Sequence, residues 1–308
     1  MVKKRFGPMF CQGFFTMVDE KNKCAQIVEI CKARGPKEWD IVNRKRTGGI
    51  ITNIRDDGSA LIMDTIIGES EMHFGPASAE LGGQGVYALS VEGDTVHTKW
   101  RGIAGASMGV GVCIPQCQDV IESHYPDNFQ VGGAHDLDVE IVTPKLIRVV
   151  IGIDDTDTPK EGATWVSGLK LGLECPYGRF LEHKIIQLNP KAPNKTTNCC
   201  STAVSFAVSE EDLPKLVKYA EDYVRKITVA DDTVMTVFTG LKIPEALAKW
   251  SWSAKSVLYT VDEARKVAEE NGVKIIEIKG PKGTIGAVAA IGCCDMGVRA
   301  AGVPEDFE

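Results

Sequence analysis

The sequence predicts a mixed α+β and α/β protein in two parts: a mainly antiparallel, β-rich N-terminal domain over residues 1–145, then an α/β sandwich over residues 146–308. Three observations predict it. Hairpin signals crowd the first part, strand and helix signals alternate in the second, and the run Ile147 to Ile153 reads as a strand buried on both faces. That run stops at Asp154-Asp155-Thr156-Asp157, so acid is packed where a core strand ends.

In the first part, Ile50 to Arg55 and Ala60 to Thr65 flank Asp56-Asp57-Gly58-Ser59, and Val86 to Val91 faces Thr95 to Trp100 across Glu92-Gly93-Asp94. The glycine-rich segment Gly102 to Cys113 lacks the Lys-Ser/Thr of a P-loop and the order of a dinucleotide site, so close strand packing is the favoured reading. Tyr125 to Lys145, with Pro126, Gly132, Gly133 and Pro144 and with acid alternating with apolar residues at Asp136, Asp138 and Glu140, reads as a linker ending in an edge strand.

In the second part, strand 147–153 precedes a helix over 162–174, with Asp157 or Thr158 as candidate N-caps. Leu181 to Leu188 and Ser201 to Val208 read as strands, and Ser209-Glu210-Glu211-Asp212 opens a helix to Ile227 in capping-box fashion. Thr233 to Phe238 is a strand, and Pro244 to Ser256 is a helix started by proline. Thr260-Val261-Asp262-Glu263 is a second capping box, Asn271-Gly272 closes its helix, and Val273 to Ile278 is the last strand.

Composition bounds the function. With 44% hydrophobic and 25% charged residues the chain has a globular make-up, and no apolar run reaches the ~18 residues of a membrane helix. Lys3, Lys4 and Arg5 are followed by Gly7, Pro8 and Gln12 rather than an apolar core, so a cytoplasmic protein with no membrane partner is expected. The ten cysteines lack the CxxC…CxxC spacing of a zinc ribbon and read as buried thiols. A net charge of −7 weighs against a large nucleic-acid partner.

Three stretches carry candidate chemistry. The carboxylates of Asp154, Asp155 and Asp157 repel one another unless a cation neutralises them, and hard oxygen donors suit Mg²⁺. The alternative is an acidic helix-capping turn. The loop Leu188 to Asn198 offers Asn189, Lys191, Asn194, Lys195, Thr196 and Asn198, groups that donate to phosphate oxygens, or else it is a solvated Asn/Pro loop. Lys279 to Ala287 carries Lys282, Gly283 and Gly286 at a helix start, either to cradle phosphates or to pack a glycine-rich helix on the sheet. Asp231-Asp232 reads as a turn, and Trp250 and Trp252 as a helix with one ring packed inward.

Gly152-Ile153-Asp154-Asp155-Thr156-Asp157, then Leu188-Asn189-Pro190 with Lys195-Thr196, Asp231-Asp232, and Gly283 to Gly292 come in the order seen in the kinase domain of archaeal tRNA agmatinylcytidine synthetase, which the second part resembles. The full chain resembles methanogenesis marker protein 11, a family of methane-metabolising archaea. The synthetase resemblance implies ATP bound with Mg²⁺ and a carbonyl activated by phosphorylation. It implies metal at Asp154, Asp155 and Asp157, Lys195 and Thr196 beside the phosphates with Gly152, Thr156, Asn189, Asn198, Lys282, Gly283 and Gly286, and a phosphoryl-accepting threonine at Thr164. Where the synthetase continues Lys-Thr-Arg-Gly-Asn, this chain has Lys195-Thr196-Thr197-Asn198-Cys199 and lacks the arginine. The synthetase's oligonucleotide-binding and zinc-ribbon modules are not recognisable either, which with the net charge argues against tRNA.

The resulting expectation is an ATP- and Mg²⁺-dependent phosphoryl-transfer enzyme with an unknown small-molecule or protein acceptor. A non-catalytic nucleotide-binding assembly factor is the second reading, and thiol chemistry at Cys199 and Cys200 the third. Hairpin edges in the first domain are candidates for pairing in a homodimer.

Overall fold

The computed structural model describes residues 11–75, 78–130, 135–193 and 195–305. Lys3, Lys4, Arg5, Gly7, Pro8, Gly132, Gly133 and Asn194, named above, lie outside the described residues. The chain divides into two compact units, Met1–Leu146 and Ile147–Glu308.

In the first unit, strands β1 (Cys11–Asp19), β2 (Cys24–Cys31), β3 (Ile51–Asp56) and β4 (Ala60–Ile66) run in the order β3-β4-β2-β1, all antiparallel. Helix α1 (Arg34–Thr47) lies between β2 and β3 in sequence. β5 (Gly68–Glu69), β6 (Gly83–Glu92) and β7 (Thr95–Ile103) continue as a second antiparallel set, with β8 (Glu122–His124). Both expected hairpins form, with Asp56 opposite Leu61 and Glu92 opposite Thr95. The glycine-rich segment is short 3-10 and π-helical turns, and its glycines mark close packing. A Cβ on Gly102 would meet Val110 at 2.7 Å.

Strand β9 (Leu137–Asp154) corrects the reading of 125–145 as a linker ending in an edge strand. Its residues 137–146 are flanked by β7 on one side and by β8 and β1 on the other, the last pairing being parallel. The acidic residues that suggested an edge, Asp138 and Glu140, are the outward half of a period-two alternation whose other half, Leu137, Val139 and Ile141, is buried.

Residues 147–154 of β9 form the centre of the second unit. The sheet order is β10-β11-β9-β12-β13, with β10 (Arg179–Gln187), β11 (Cys200–Val208), β12 (Val234–Thr239) and β13 (Lys274–Glu277), every pairing antiparallel. One face carries α2 (Thr164–Glu174) and α3 (Leu213–Ile227), packed on Val149, Ile151 and Ile153. The other carries α4 (Glu245–Ser253), α5 (Val261–Glu270) and α6 (Thr284–Cys293), packed on Val150. The alternating side chains of one strand thus serve two cores, which is why the run is apolar at nearly every position.

The capping box of α5 forms, with Thr260 accepting from the Glu263 N–H and Glu263 from the Thr260 N–H. The one expected at α3 does not: Ser209 accepts from Asp212 N–H in a separate turn, and the helix starts at Leu213 with Pro214 in its first turn. α2 starts at Thr164 with Ala163 as N-cap, so neither Asp157 nor Thr158 caps it.

Gly152 sits where α6 crosses the sheet. A Cβ there would run into the Ala287 carbonyl, which Thr236 Oγ1 already bonds at 2.8 Å. Gly152→Ala is therefore expected to lower unfolding free energy by about 1–3 kcal/mol through overpacking. Urea denaturation of the two proteins checks it.

Candidate functional site

The buried run of β9 delivers Asp154 to the end of the sheet, and the chain then turns with Asp155 in the left-handed region, φ 55°. Hydroxyl groups hold this turn. Thr233 Oγ1 donates to Asp155 O (2.5 Å), Val229 N–H donates to Thr156 O (3.0 Å), and Thr228 Oγ1 also donates to Thr156 O (3.4 Å). The Thr156 N–H and hydroxyl both donate to Thr164 Oγ1, which donates to Asp157 Oδ1 (3.2 Å). Thr196 Oγ1 donates to the same Asp157 oxygen (3.2 Å), tying the 188–199 loop to the acidic turn.

A cavity of about 330 Å³ opens at this end of the second unit. Asp154, Asp155, Asp157, Lys195, Thr196 and Lys282 form its polar end. Ala254, Val257, Leu258 and Tyr259 make an apolar wall, with Ile285 and Gly286 at the first turn of α6. Tyr259 is braced by Trp250, ring centroids 5.0 Å apart. Asn189 donates from Nδ2 to Ser256 O (3.0 Å) and accepts the Lys191 N–H at Oδ1 (2.9 Å), so it fastens the loop to that wall.

Electrostatics at the polar end are unfavourable to the carboxylates. Desolvation, then Asp155 and Asp157, hold the Asp154 carboxyl well above the usual carboxylate range, only partly offset by the Asp155 N–H. Desolvation, then Asp232 and Asp157, push Asp155 up to about 6, with Lys282 opposing. Gly286 is what lets Asp154 lie there, since a Cβ would overlap Asp154 Oδ2. Burial, then Asp154, pushes the Cys199 thiol up to about 12, so it is not a ready thiolate.

Of the residues singled out by sequence, Asp154, Asp155, Asp157, Asn189, Lys195, Thr196, Lys282 and Gly286 are brought together around the cavity. Gly152, Thr156, Thr164, Asn198 and Gly283 do not line it. Gly152 and Gly283 pack against α6 and the Asp232 carbonyl respectively, and Thr156 and Thr164 are buried behind the acidic turn. Asn198 is exposed, its carbonyl taken by Gln187 Nε2 (2.6 Å). Both lysines have protein partners: Lys195 Nζ bonds Pro190 O, and Lys282 Nζ bonds Asp232 Oδ2 at 2.8 Å. Sequence reasoning missed the wall at 254–259 and the pins Thr228 and Thr233. The capping box at Thr260 marked the wall's end but not its use.

Among the described residues, the carboxylates of Asp154, Asp155 and Asp157 do not form a set lying within 4.8 Å of one another. The full three-carboxylate ligand set is therefore not assembled, since Asp157 is turned toward two hydroxyls. Mg²⁺ commonly takes one or two carboxylates with phosphate oxygens, a mode that the under-neutralised Asp154 and Asp155 fit. Glu182, Cys294 and Asp295 do converge, but Arg148 already bonds both Asp295 oxygens, at 3.0 and 2.5 Å.

The second unit is a five-stranded antiparallel sheet between helices with an acidic turn at the mouth of its cavity, and residues 150–213 match the TiaS TCKD domain. The tRNA 2-agmatinylcytidine synthetase TiaS of Thermococcus sibiricus is 33% identical over 154 residues, 48% of this chain and 35% of the synthetase, so the chain spans about a third of that relative's length. A crystal structure of TiaS in complex with tRNA and ATP matches with TM-score 0.43 and 26% identity, covering 47% of this chain and 36% of that one. The uncharacterized protein MJ0921 of Methanocaldococcus jannaschii is 36% identical over 301 residues, 96% of this chain and 98% of its own length. The chain belongs to the family of MJ0921.

The mixed α/β fold resembling the TiaS domain holds. The expectation against tRNA gains no support, because the matched synthetases are tRNA enzymes by name, and bulk charge alone does not decide a local contact. Among the described residues no helix is long and apolar enough to cross a membrane.

Raised carboxyl values make a stability prediction. Because Asp155 has a folded pKa of about 6 against 3.8 unfolded, the native state binds more protons between them, and stability falls as pH rises from about 4 to 6. Thermal melts of the metal-free protein in chelator should show this slope, and Asp155→Asn should flatten it.

Proposed function

We propose that this chain is an ATP- and Mg²⁺-dependent phosphoryl-transfer enzyme that activates a carbonyl oxygen of an acceptor still to be identified. The observation that carries the reading is one cavity with an apolar wall at one end and two insufficiently neutralised carboxylates at the other. The TiaS likeness of residues 150–213 supports it.

In this reading the flat apolar wall of Val257, Leu258 and Tyr259 takes the base, and the triphosphate runs toward Asp154 and Asp155. Bound magnesium would supply the positive charge that these carboxylates and the phosphates both lack. Lys195 leaves the Pro190 carbonyl to offset charge on the terminal phosphate, and Lys282 does so by loosening from Asp232. Thr196 donates to Asp157 and holds the loop against the acidic turn. The acceptor oxygen attacks phosphorus, the bond to the bridging oxygen breaks, and ADP leaves. Thr164, buried behind the turn, positions Asp157 rather than receiving the phosphoryl group in this conformation.

The whole-chain resemblance to methanogenesis marker protein 11 supports an acceptor within methane metabolism, with residues 1–145 as the acceptor- or partner-binding domain and 146–308 as the nucleotide-binding domain. That both lysines are engaged by protein carbonyl or carboxylate favours a second reading, a factor that binds nucleotide without turnover.

Calorimetric titration of ATP with and without Mg²⁺ is expected to show magnesium-dependent binding that Asp154→Asn abolishes. ADP, AMP and phosphate measured in the same samples separate the two readings: slow consumption supports the enzyme, binding alone the factor. Absence of binding in every condition would sink both. Asp157→Asn should weaken ATP binding by about tenfold while leaving Asp154 and Asp155 in place, the scale of one lost charge-assisted hydrogen-bond network.

A further inference from the structure

Strand β10 is an edge. Among the described residues its only strand partner is β11; the 3-10 turn Gly297–Ala301 packs beside it and Lys255 Nζ takes the Gln187 carbonyl (2.7 Å), so the backbone side left for another strand runs along 180–186. Edges of this kind are normally blunted by bulges, prolines or inward charge. β10 has a bulge near Phe180 and Glu182, and charge at Glu182, which meets Arg148 at 3.4 Å, and at Lys184, but no bulge beyond the first and no proline from Arg179 to Gln187.

The helix beside it is unusual for a surface helix. α2 presents Trp165, Leu169 and Leu173 in an i, i+4, i+8 stripe, with Trp165 43% and Leu173 66% exposed and Leu169 half-buried. On the strand, Leu181 and Ile185 are likewise half-buried, on the side where His183 Nε2 meets Thr202 Oγ1 at 2.8 Å. Helix and strand together leave a continuous apolar strip along an open backbone edge, the kind of patch that marks an interaction surface.

We propose that β10 pairs antiparallel with β10 of a second copy of this chain, about a two-fold axis at His183, joining two five-stranded sheets into one. The strand's own charges select this occupant and this register. A two-fold at His183 sets Glu182 opposite the partner's Lys184 and Lys184 opposite the partner's Glu182, and sets Leu181 against Ile185. A two-fold one residue either way puts Glu182 against itself or Lys184 against itself, like charges directly opposed. Within one chain these two side chains already meet at 3.0 Å on a common face, where Glu182 also meets Arg148 at 3.4 Å, so pairing sets two such Glu182–Lys184 pairs side by side with alternating sign. An isologous contact requires this self-complementarity, and an unrelated extended peptide would not supply it. The two α2 helices then flank the junction and cover Trp165 and Leu169. This surface is independent of the nucleotide reading and differs from a dimer through hairpin edges of the first unit.

The test is the mass of the intact protein by multi-angle light scattering over a dilution series, with hydrogen exchange of the 180–187 amides. A mass twice the 33.4 kDa of the chain is expected, with those amides exchanging faster as the protein is diluted. Lys184→Glu puts four carboxylates together and should weaken association by about tenfold or more, and Trp165→Glu, on the exposed face of α2, should do the same. Unchanged circular dichroism shows that each variant is folded, and if one is not, the other decides. A monomer at about 100 μM overturns the proposal. So does a dimer that both folded variants leave intact, or one whose 180–187 amides exchange independently of concentration.

Discussion

The second unit is organised around one unfavourable interaction: a strand buried on both faces ends in carboxylates that, among the described residues, no cation pairs with directly. Elsewhere in this chain buried acids have an arginine. Glu29 and Asp40 meet the fully buried Arg44 at 2.7 and 3.4 Å. At Asp155 the opposing basic group is Lys282, and it is bonded to Asp232. Removing charge from water without a partner costs several kcal/mol in real proteins, so carboxyls placed like this take up either a proton or a cation.

Holding that turn without cations requires neutral donors, and threonine supplies most of them. The carbonyls of residues 155 and 156 are met by Thr233, Val229 and Thr228, and one Asp157 oxygen takes the hydroxyls of Thr164 and Thr196. Hydroxyls fix geometry without adding positive charge to the site. Two backbones held at φ 55°, Asp155 and Cys199, lie on this same cavity, where sparsely populated conformations are concentrated in functional loops.

Chemistry was legible in the sequence where it was local. The acidic end of β9, the Asn/Lys loop, the glycine start of α6 and the Thr260 capping box are each signalled within a few residues. Partnerships across the sheet were not. Alternation and β-branching say that Val149 to Ile153 is a strand but not that both its neighbours are antiparallel, because strand direction is set by pairings about fifty to ninety residues away. For the same reason nothing near Thr228 or Thr233 marks them as pins of the acidic turn, and the helix signal over 244–256 does not show that its end walls a cavity. Asp138 and Glu140 misled in the opposite sense: they suggested an edge because period-two polarity looks the same on an edge and on an internal strand with one wet face.

The separation of roles between the two parts follows from what each relative shares. MJ0921 aligns with 96% of this chain, whereas the synthetase of Thermococcus sibiricus aligns with 48% of it, and the TiaS domain match falls within 150–213. The cavity, lined from Asp154 to Gly286, lies within a single compact unit, the one that holds the domain match. Whatever the cavity binds can therefore be bound by the second unit's own residues. What distinguishes this family from the synthetases is carried largely by the rest of the chain. On the phosphoryl-transfer reading proposed above, acceptor choice would fall to that part, and a search for the acceptor is better aimed at ligands of the first unit than at further variation of the acidic turn.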